Sequence, residues 1–329
     1  MTVLNVLFDE RWVGSHGIGR VAAALQKRLP LTSLNINGTP VSPIDPLRFW
    51  LRVFRRGGVI VFSPGYNAPI FSIKNFVFII HDLNHLDCKN NSTFLKRLYY
   101  SLIIKRACRF SFRVLTVSEF SRARICAWAK VSPDKVINIG NGVDDNFSLS
   151  VTPASLGYSY LFVVGNRKAH KNEKNIVEAF SASGIDASIR LVLTGPPSEE
   201  LQRVARMHNV GDRLIFLGRV DEADLPGLYR GAIALLFPSL YEGFGLPVIE
   251  AMACGTPVLT STTTALPEVA GDAALLVNPE SVGEIAEGIR RLCGEEELRM
   301  ILRDRGLEHC KRFRWDAVAD RVRDVFQAM

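Results

Sequence analysis

The sequence predicts an α/β protein made of two parallel-sheet domains, and three observations predict it. Short, nearly continuous apolar runs alternate with helix-period patterns along the chain. The alternation pauses in the turn-rich stretch NGVDDNFSLSVTPASLG (141–157) and then restarts. Runs apolar on both faces need cover on both faces, the condition of a parallel sheet flanked by helices. The expected domains are 1–150 and 156–311, with a last helix over 312–329.

In the first series LNVLF (4–8) is a strand, and GSHGIGR (14–20) leads into the helix pattern GRVAAALQKRL. GVIVFS (58–63), FVFIIHD (76–82) and RVLTVSEF (113–120) follow as strands, the last turning into a helix capped by Ser118. Crowded Asn, Gly, Asp and Pro make 141–157 a linker rather than a further element. The second series runs YLFVVG (160–165), IRLVLTG (189–195), RLIFLG (213–218), AIALLFPS (232–239) and TPVLTS (256–261).

The chain has 329 residues, enough for about two domains of roughly 150 each. Its 47% hydrophobic and 22% charged content is that of an ordinary globular protein. The net charge of +7 is unevenly placed: residues 1–150 carry 20 Lys and Arg against 9 Asp and Glu, and the remainder 20 against 24. A basic amino half points to an anionic partner: nucleic acid, a membrane surface or a phosphate-bearing substrate. The six cysteines have no C-x-x-C pair or metal-ligand spacing, so reduced, mostly buried thiols are expected. No apolar run approaches ~18 residues and no charged leader precedes the first strand, so a cytoplasmic, non-spanning protein is expected.

Ligands of open parallel sheets sit beyond the carboxyl ends of the strands, and the chemistry-bearing residues cluster there. In FPSLYEGFGLPVIEAMACGTPVL (237–259), Pro247 suits the first turn of a helix and Gly255 its carboxyl cap. The amino end of that helix favours an anion, and Gly243 and Gly245 let backbone approach it closely. Glu250 lies three residues, about 4.5 Å, along the helix, while Glu242 reaches in from the loop. Acceptor-only carboxylates suit hydroxyls and a helix end suits phosphate, which together describe a sugar nucleotide. The plainer alternative makes both acids surface residues and the glycines a turn. In FVVGNRKAHKN (162–172), Gly165 ends a strand and Arg167, Lys168, His170 and Lys171 follow. Fixed cations can stabilise a departing diphosphate without a metal, and no Asp-x-Asp clamp occurs in the chain. A solvated basic turn is the alternative. GSHGIGR fits a nucleotide loop or a tight turn equally well. HDLNHLD (81–87) puts His81 and Asp82 at a strand end.

Taken together, and above all through PSLYEGFGLPVIEAMACGTPV, these strings closely resemble the retaining glycosyltransferases of family four. The resemblance implies the GT-B fold: two Rossmann-like domains facing across a cleft, with the last helix crossing back to the first domain. It implies an acceptor side in 1–150 and a nucleotide-sugar side in 156–311. Glu242 would contact the hexose and Glu250 the ribose, with backbone of Gly243, Phe244, Gly245 and Leu246 near diphosphate or sugar. Gly165, Arg167 and Lys171 would hold the diphosphate, and backbone of FLGRV (216–220) would lie near the base. Gly17 and Gly19 would approach donor phosphates or acceptor. His81 would face the hexose in the transition state, and Asp82 would serve structure or acceptor. The family's usual PRKN reads AHKN here, so the second diphosphate-binding cation falls to Arg167, Lys168 or His170. Trp315, in RFRWDAVADRVRDVF, would be a packing anchor.

The resemblance further implies transfer of a hexose from a nucleoside-diphosphate sugar to a saccharide or lipid-linked hydroxyl, with no metal and no other cofactor. NRKAHKN and HDLNHLD resemble bacterial mannosyltransferases of surface polysaccharides, which makes mannose from GDP-mannose the expected donor. A UDP-sugar donor and a GT-B epimerase stay open. FLKRLYYSLIIKRACRFSFR (94–113) carries six Lys and Arg and no acid, an amphipathic pattern that could sit on anionic lipid. A helix buried on one face fits it equally well. A nucleic-acid partner is not expected, because aromatic–basic RNA signatures are missing and the acidic glycine corner would go unexplained.

Overall fold

Twelve strands, among the residues described by the computed structural model (5–14, 16–88 and 92–329), form two six-stranded parallel sheets. Leu4 of the expected first strand and Ser15 of the glycine loop lie outside the described residues. The chain divides into two compact units, Met1–Gly142 with Arg314–Met329, and Val143–Phe313.

The first unit holds β1 (Val6–Phe8), β2 (Leu31–Ser33), β3 (Ile60–Ser63), β4 (Phe76–Ile79), β5 (Arg113–Thr116) and β6 (Val136–Asn138). They are ordered β2-β1-β3-β4-β5-β6, with Val6 opposite both Leu31 and Ile60. The four central strands match the apolar runs of the sequence; β2 and β6 do not, because edge strands of three half-covered residues carry no such run. β4 ends at Ile79, so His81 and Asp82 stand in the loop beyond it. The chain leaves β1 in one direction to β2 and returns on the other side as β3, making β1/β3 the switch point of this sheet. The last helix, Trp315–Gln327, belongs to this unit and packs its Trp315, Val322 and Phe326 into the core with Leu25, Phe62 and Ile139.

Between β4 and β5 runs a basic helical stretch: Phe94–Tyr99 α-helical, Tyr100–Ile104 a π turn, and Lys105–Phe110 α-helical again. Tyr100, Ile104 and Cys108 are buried, whereas Phe94, Leu98, Leu102 and Phe110 are exposed. A row spaced at four residues drifts by ~40° per step around an α-helix. The extra residue of the π turn turns the row back and keeps it on one side.

The second unit holds β7 (Tyr160–Val163), β8 (Arg190–Leu193), β9 (Leu214–Phe216), β10 (Ala234–Phe237), β11 (Val258–Ser261) and β12 (Leu275–Val277). Their order is β12-β11-β10-β7-β8-β9, and the direction of winding reverses between β7 and β10. The short edge strand β12 is again the one that the apolar pattern does not announce. Such a reversal leaves a crevice at the carboxyl ends of the two strands, and the loops after β7 and β10 contain Arg167, Lys171 and Glu242.

Candidate active site

The loops after β7 and β10 are bound to one another before any ligand is considered. Asn172, at φ 60°, donates its amide to the carbonyls of Pro238 (3.0 Å) and Pro279 (2.7 Å). The Leu240 N–H donates to the His170 carbonyl at 2.8 Å. Held this way, Lys171 Nζ meets Glu242 Oε1 at 2.7 Å and lies 4.6 Å from the centre of the Phe237 ring. Both side chains of the pair are mostly covered, 15% and 13% exposed. Thr264 Oγ1 accepts the Glu242 N–H at 3.2 Å.

Glycine is obligatory at the corner that follows. Gly245 has φ 106°, and a Cβ there would lie 2.6 Å from Leu266 Cδ2. Its αL turn starts the helix Leu246–Ala253, with Pro247 in the first turn and Gly255 (φ 70°) just past the end. Glu250 is 1% exposed and accepts a bond from the Tyr229 hydroxyl at 2.9 Å. The Phe244 ring packs edge-on against Phe313, centroids 5.7 Å apart, which leaves its backbone as the part available to a ligand.

Arg167 is anchored rather than extended. At φ 63° it sends Nε to the Pro196 carbonyl (3.0 Å), Nη2 to the Thr194 carbonyl (2.8 Å) and Nη1 to Glu173 Oε1 (2.5 Å). Its guanidinium stacks over Phe216 at 5.0 Å. Glu173 is buried, and burial pushes its carboxyl up, with the attraction of Arg167 opposing. A Cβ on Gly165 would fall 1.8 Å from Glu173 Oε1, so Gly165 makes room for this carboxylate. Sequence reasoning missed Glu173, although an acid opening a helix two residues after Lys171 was a usable signal. Between β9 and the next helix a cavity of about 490 Å³ opens beside Leu217, Arg219 and Val220.

In the first unit, His81 Nε2 lies 3.0 Å from the Pro64 carbonyl, and the Ser121 hydroxyl donates to the His81 carbonyl at 3.0 Å. Burial pushes the imidazole down to about 4, the Pro64 bond opposing and neighbouring His16 adding to the shift, so His81 is neutral at pH 7. Asp82 Oδ1 accepts the Asn84 N–H at 2.9 Å. In the glycine loop His16 Nδ1 accepts the Gly19 N–H at 3.0 Å, and a Cβ on Gly19 would lie 2.4 Å from the Gly14 carbonyl. Gly19 is therefore required by its own loop, while Gly17 has open space before it.

At the switch point of this sheet lies a cluster that sequence reasoning did not single out. Arg11 reaches Asp9 (2.7 Å) and Asp45 (2.5 Å), both wholly buried. Burial opposes the guanidinium charge, but the bonds to the two acids outweigh it and hold Arg11 above its usual range. Asn67 joins them, and no local signal could reveal partners separated by 58 positions.

Comparison with known proteins agrees with this architecture. Residues 147–309 match the family model of the glycosyl transferases group 1, and residues 15–147 that of glycosyltransferase family 4. The chain is 29% identical over 269 residues to the O-antigen chain mannosyltransferase B of Escherichia coli, covering 76% of this chain and 71% of that one. It is 29% identical over 255 residues to the O-antigen chain mannosyltransferase RfbU of Salmonella typhimurium, covering 74% and 70%. The solved structure of HepE from Anabaena, in complex with UDP and glucose, matches with a TM-score of 0.76 at 16% identity, over 99% of this chain and 100% of that one. With parallel α/β sheets of the GT-B type and family matches that run from residue 15 to residue 309, the chain belongs to the glycosyl transferases of group 1.

Proposed function

We propose that this enzyme moves a hexose, with retention of anomeric configuration and without a metal, from a nucleoside-diphosphate sugar to a hydroxyl of a saccharide or lipid-linked acceptor in surface polysaccharide synthesis. One observation carries the reading: Lys171 and Glu242, from loops flanking the β7/β10 switch point, meet at 2.7 Å beside a helix start that only glycine permits. A cation, a carboxylate and bare N–H groups in one crevice suit an anionic leaving group joined to a polyol. The anomeric C–O bond breaks with its electron pair going to the diphosphate oxygen. Lys171 and the N–H groups that open the helix Leu246–Ala253 stabilise that charge. The acceptor oxygen attacks from the same face, and its proton passes to the departing phosphate. Glu242 and neutral His81 bind hexose hydroxyls, Glu250 orients the ribose, and Arg167 with Glu173 braces the loop that presents Lys171. The names of the two O-antigen mannosyltransferases favour mannose, and with it GDP-mannose.

The test is a thermal-shift panel of GDP-, UDP-, ADP- and dTDP-sugars. A donor at 100 times its Kd adds about 2.7 kcal/mol, and the mannose reading expects GDP-mannose to give the largest shift. Glu250→Ala should remove most of that shift, whereas Glu242→Ala should keep it and slow turnover. Silence across the panel, or parental behaviour of both variants, would sink the proposal.

The same reading extends to where the acceptor is met. Phe94, Leu98, Leu102 and Phe110 form an exposed apolar row on a stretch without acids. A second helix, Asp45–Val53, adds exposed Leu47 and Leu51, and its Trp50 lies 5.1 Å from Phe71, over which Arg106 sits at 5.9 Å. No helix among the described residues is long and apolar enough to cross a membrane. Contact with anionic lipid would be peripheral, each cation contributing about 1 kcal/mol. Phosphatidylcholine vesicles with phosphatidylglycerol should sediment the protein, and vesicles without it should not. Neutralising Arg97 or Arg106 should weaken the binding roughly fivefold each; equal binding to both vesicle types would remove this part of the reading.

A further inference from the structure

The buried cluster at the β1/β3 switch point reaches His81 through one loop. Asn67 uses all of its hydrogen-bonding capacity inside it. The amide nitrogen donates to Asp9 Oδ2 (2.8 Å) and Asp45 Oδ2 (3.2 Å). The amide oxygen accepts from Trp12 Nε1 (2.7 Å) and Ser63 Oγ (2.5 Å). Asn67, Asp9, Asp45 and Ser63 are wholly buried. The residues from Ser63 to Asn67 form a loop closed on itself, with the Gly65 N–H donating to Ser63 Oγ at 3.4 Å. Trp12 floors this loop: a Cβ on Gly65 would lie 2.3 Å from the indole Cε2. The Pro64 carbonyl projects from it to His81 Nε2 at 3.0 Å.

A carbonyl can only accept, so the ring nitrogen facing it carries the hydrogen and the other is left as an acceptor. We propose that Asn67 is a positioning residue: by fixing the Pro64 carbonyl it holds His81 in the Nε2–H tautomer, with Nδ1 as the acceptor for a hydroxyl of the transferred hexose. The proposal rests on the reading of His81 as a hexose contact. A buried guanidinium with two carboxylates is no better for stability than apolar residues of the same volume. It can, however, define one geometry for a loop, and here that loop lies at the sheet's switch point.

Long-range proton–nitrogen correlation spectra of the 329-residue chain, labelled at histidine, read the tautomer directly. The parent should show His81 as a single Nε2–H form. In Asn67→Ala both tautomers should appear, kcat should fall about tenfold or more, and the donor KM should stay within roughly twofold. Trp12→Phe keeps a ring beneath Gly65 and removes a single donor to Asn67, so it should shift the tautomer in the same direction by less. Trp12→Phe decides the matter if Asn67→Ala does not fold. On a His81→Ala background Asn67→Ala should lower kcat no further. A single Nε2–H form retained in Asn67→Ala, or in Trp12→Phe where that variant decides, would overturn the positioning role, whatever happens to the rate. If His81→Ala itself leaves kcat intact, the hexose contact is what fails, and the tautomer spectra still judge Asn67.

Discussion

Lys171→Met is expected to lower kcat by about a hundredfold to a thousandfold, the usual cost of removing one fixed donor aimed at developing charge. Methionine keeps the apolar stem against Phe237, whose ring lies 4.6 Å from the Lys171 nitrogen, and deletes the cation alone. Glu242 then loses its 2.7 Å partner, but Thr264 still holds the backbone of that residue. The fold should therefore survive, with a melting temperature a few degrees lower. Lys171→Arg should recover part of the rate, because it restores charge in a different shape. Steady-state assays at saturating donor make the comparison. A Lys171→Met enzyme within threefold of the parent would mean that the leaving group is stabilised elsewhere, and Arg167 would return as the candidate.

The second large effect concerns stability. Trp315 is 3% exposed, and its indole lies where a Cβ on Gly142 would come within 2.6 Å. Removing a buried Trp side chain typically costs 3–5 kcal/mol, so Trp315→Ala should weaken the first unit by about that amount. The rest of the helix remains attached by the Arg28–Asp316 pair (2.8 Å) and the Arg321 bond to the Ile139 carbonyl (2.8 Å). Calorimetry should show one of two transitions displaced downward and the other, belonging to Val143–Phe313, unchanged. A loss below about 1 kcal/mol would show that the indole contributes little to the core.

Much of the fold was legible because central strands of parallel sheets must be apolar on both faces, and FVFI and ALLF can be little else. Three of the four edges were not: LTS, VIN and LLV are short and half-uncovered, whereas the fourth, LIF, stood out in the run RLIFLG. The corner from Glu242 to Glu250 was legible since its residues are neighbours in the chain. So was Lys171, through the strand end before it. What escaped was anything that depends on distant partners. The ring of Asp9, Arg11, Asp45 and Asn67 closes only in three dimensions, as does the embrace of Arg167 by Thr194 and Pro196. The exposed side of Asp45–Val53 escaped for another reason. DPLRFWLRVFRR is amphipathic, but only burial tells which of its apolar residues face outward.

The placement of the last helix sets an order for biosynthesis. The first unit takes its final layer from Trp315–Gln327, yet residues 143–313 are translated in between. At about 5–20 residues per second a ribosome needs roughly 10–30 s for that interval. During it, Leu25, Phe62 and Ile139 have no Phe326 or Val322 to cover them. The portion made first is thus the portion finished last, and the nascent chain carries a greasy seam that a chaperone would recognise. Premature termination just before Trp315 would release a polypeptide whose later-made part, Val143–Phe313, is whole while its earlier-made part lacks a layer of its core.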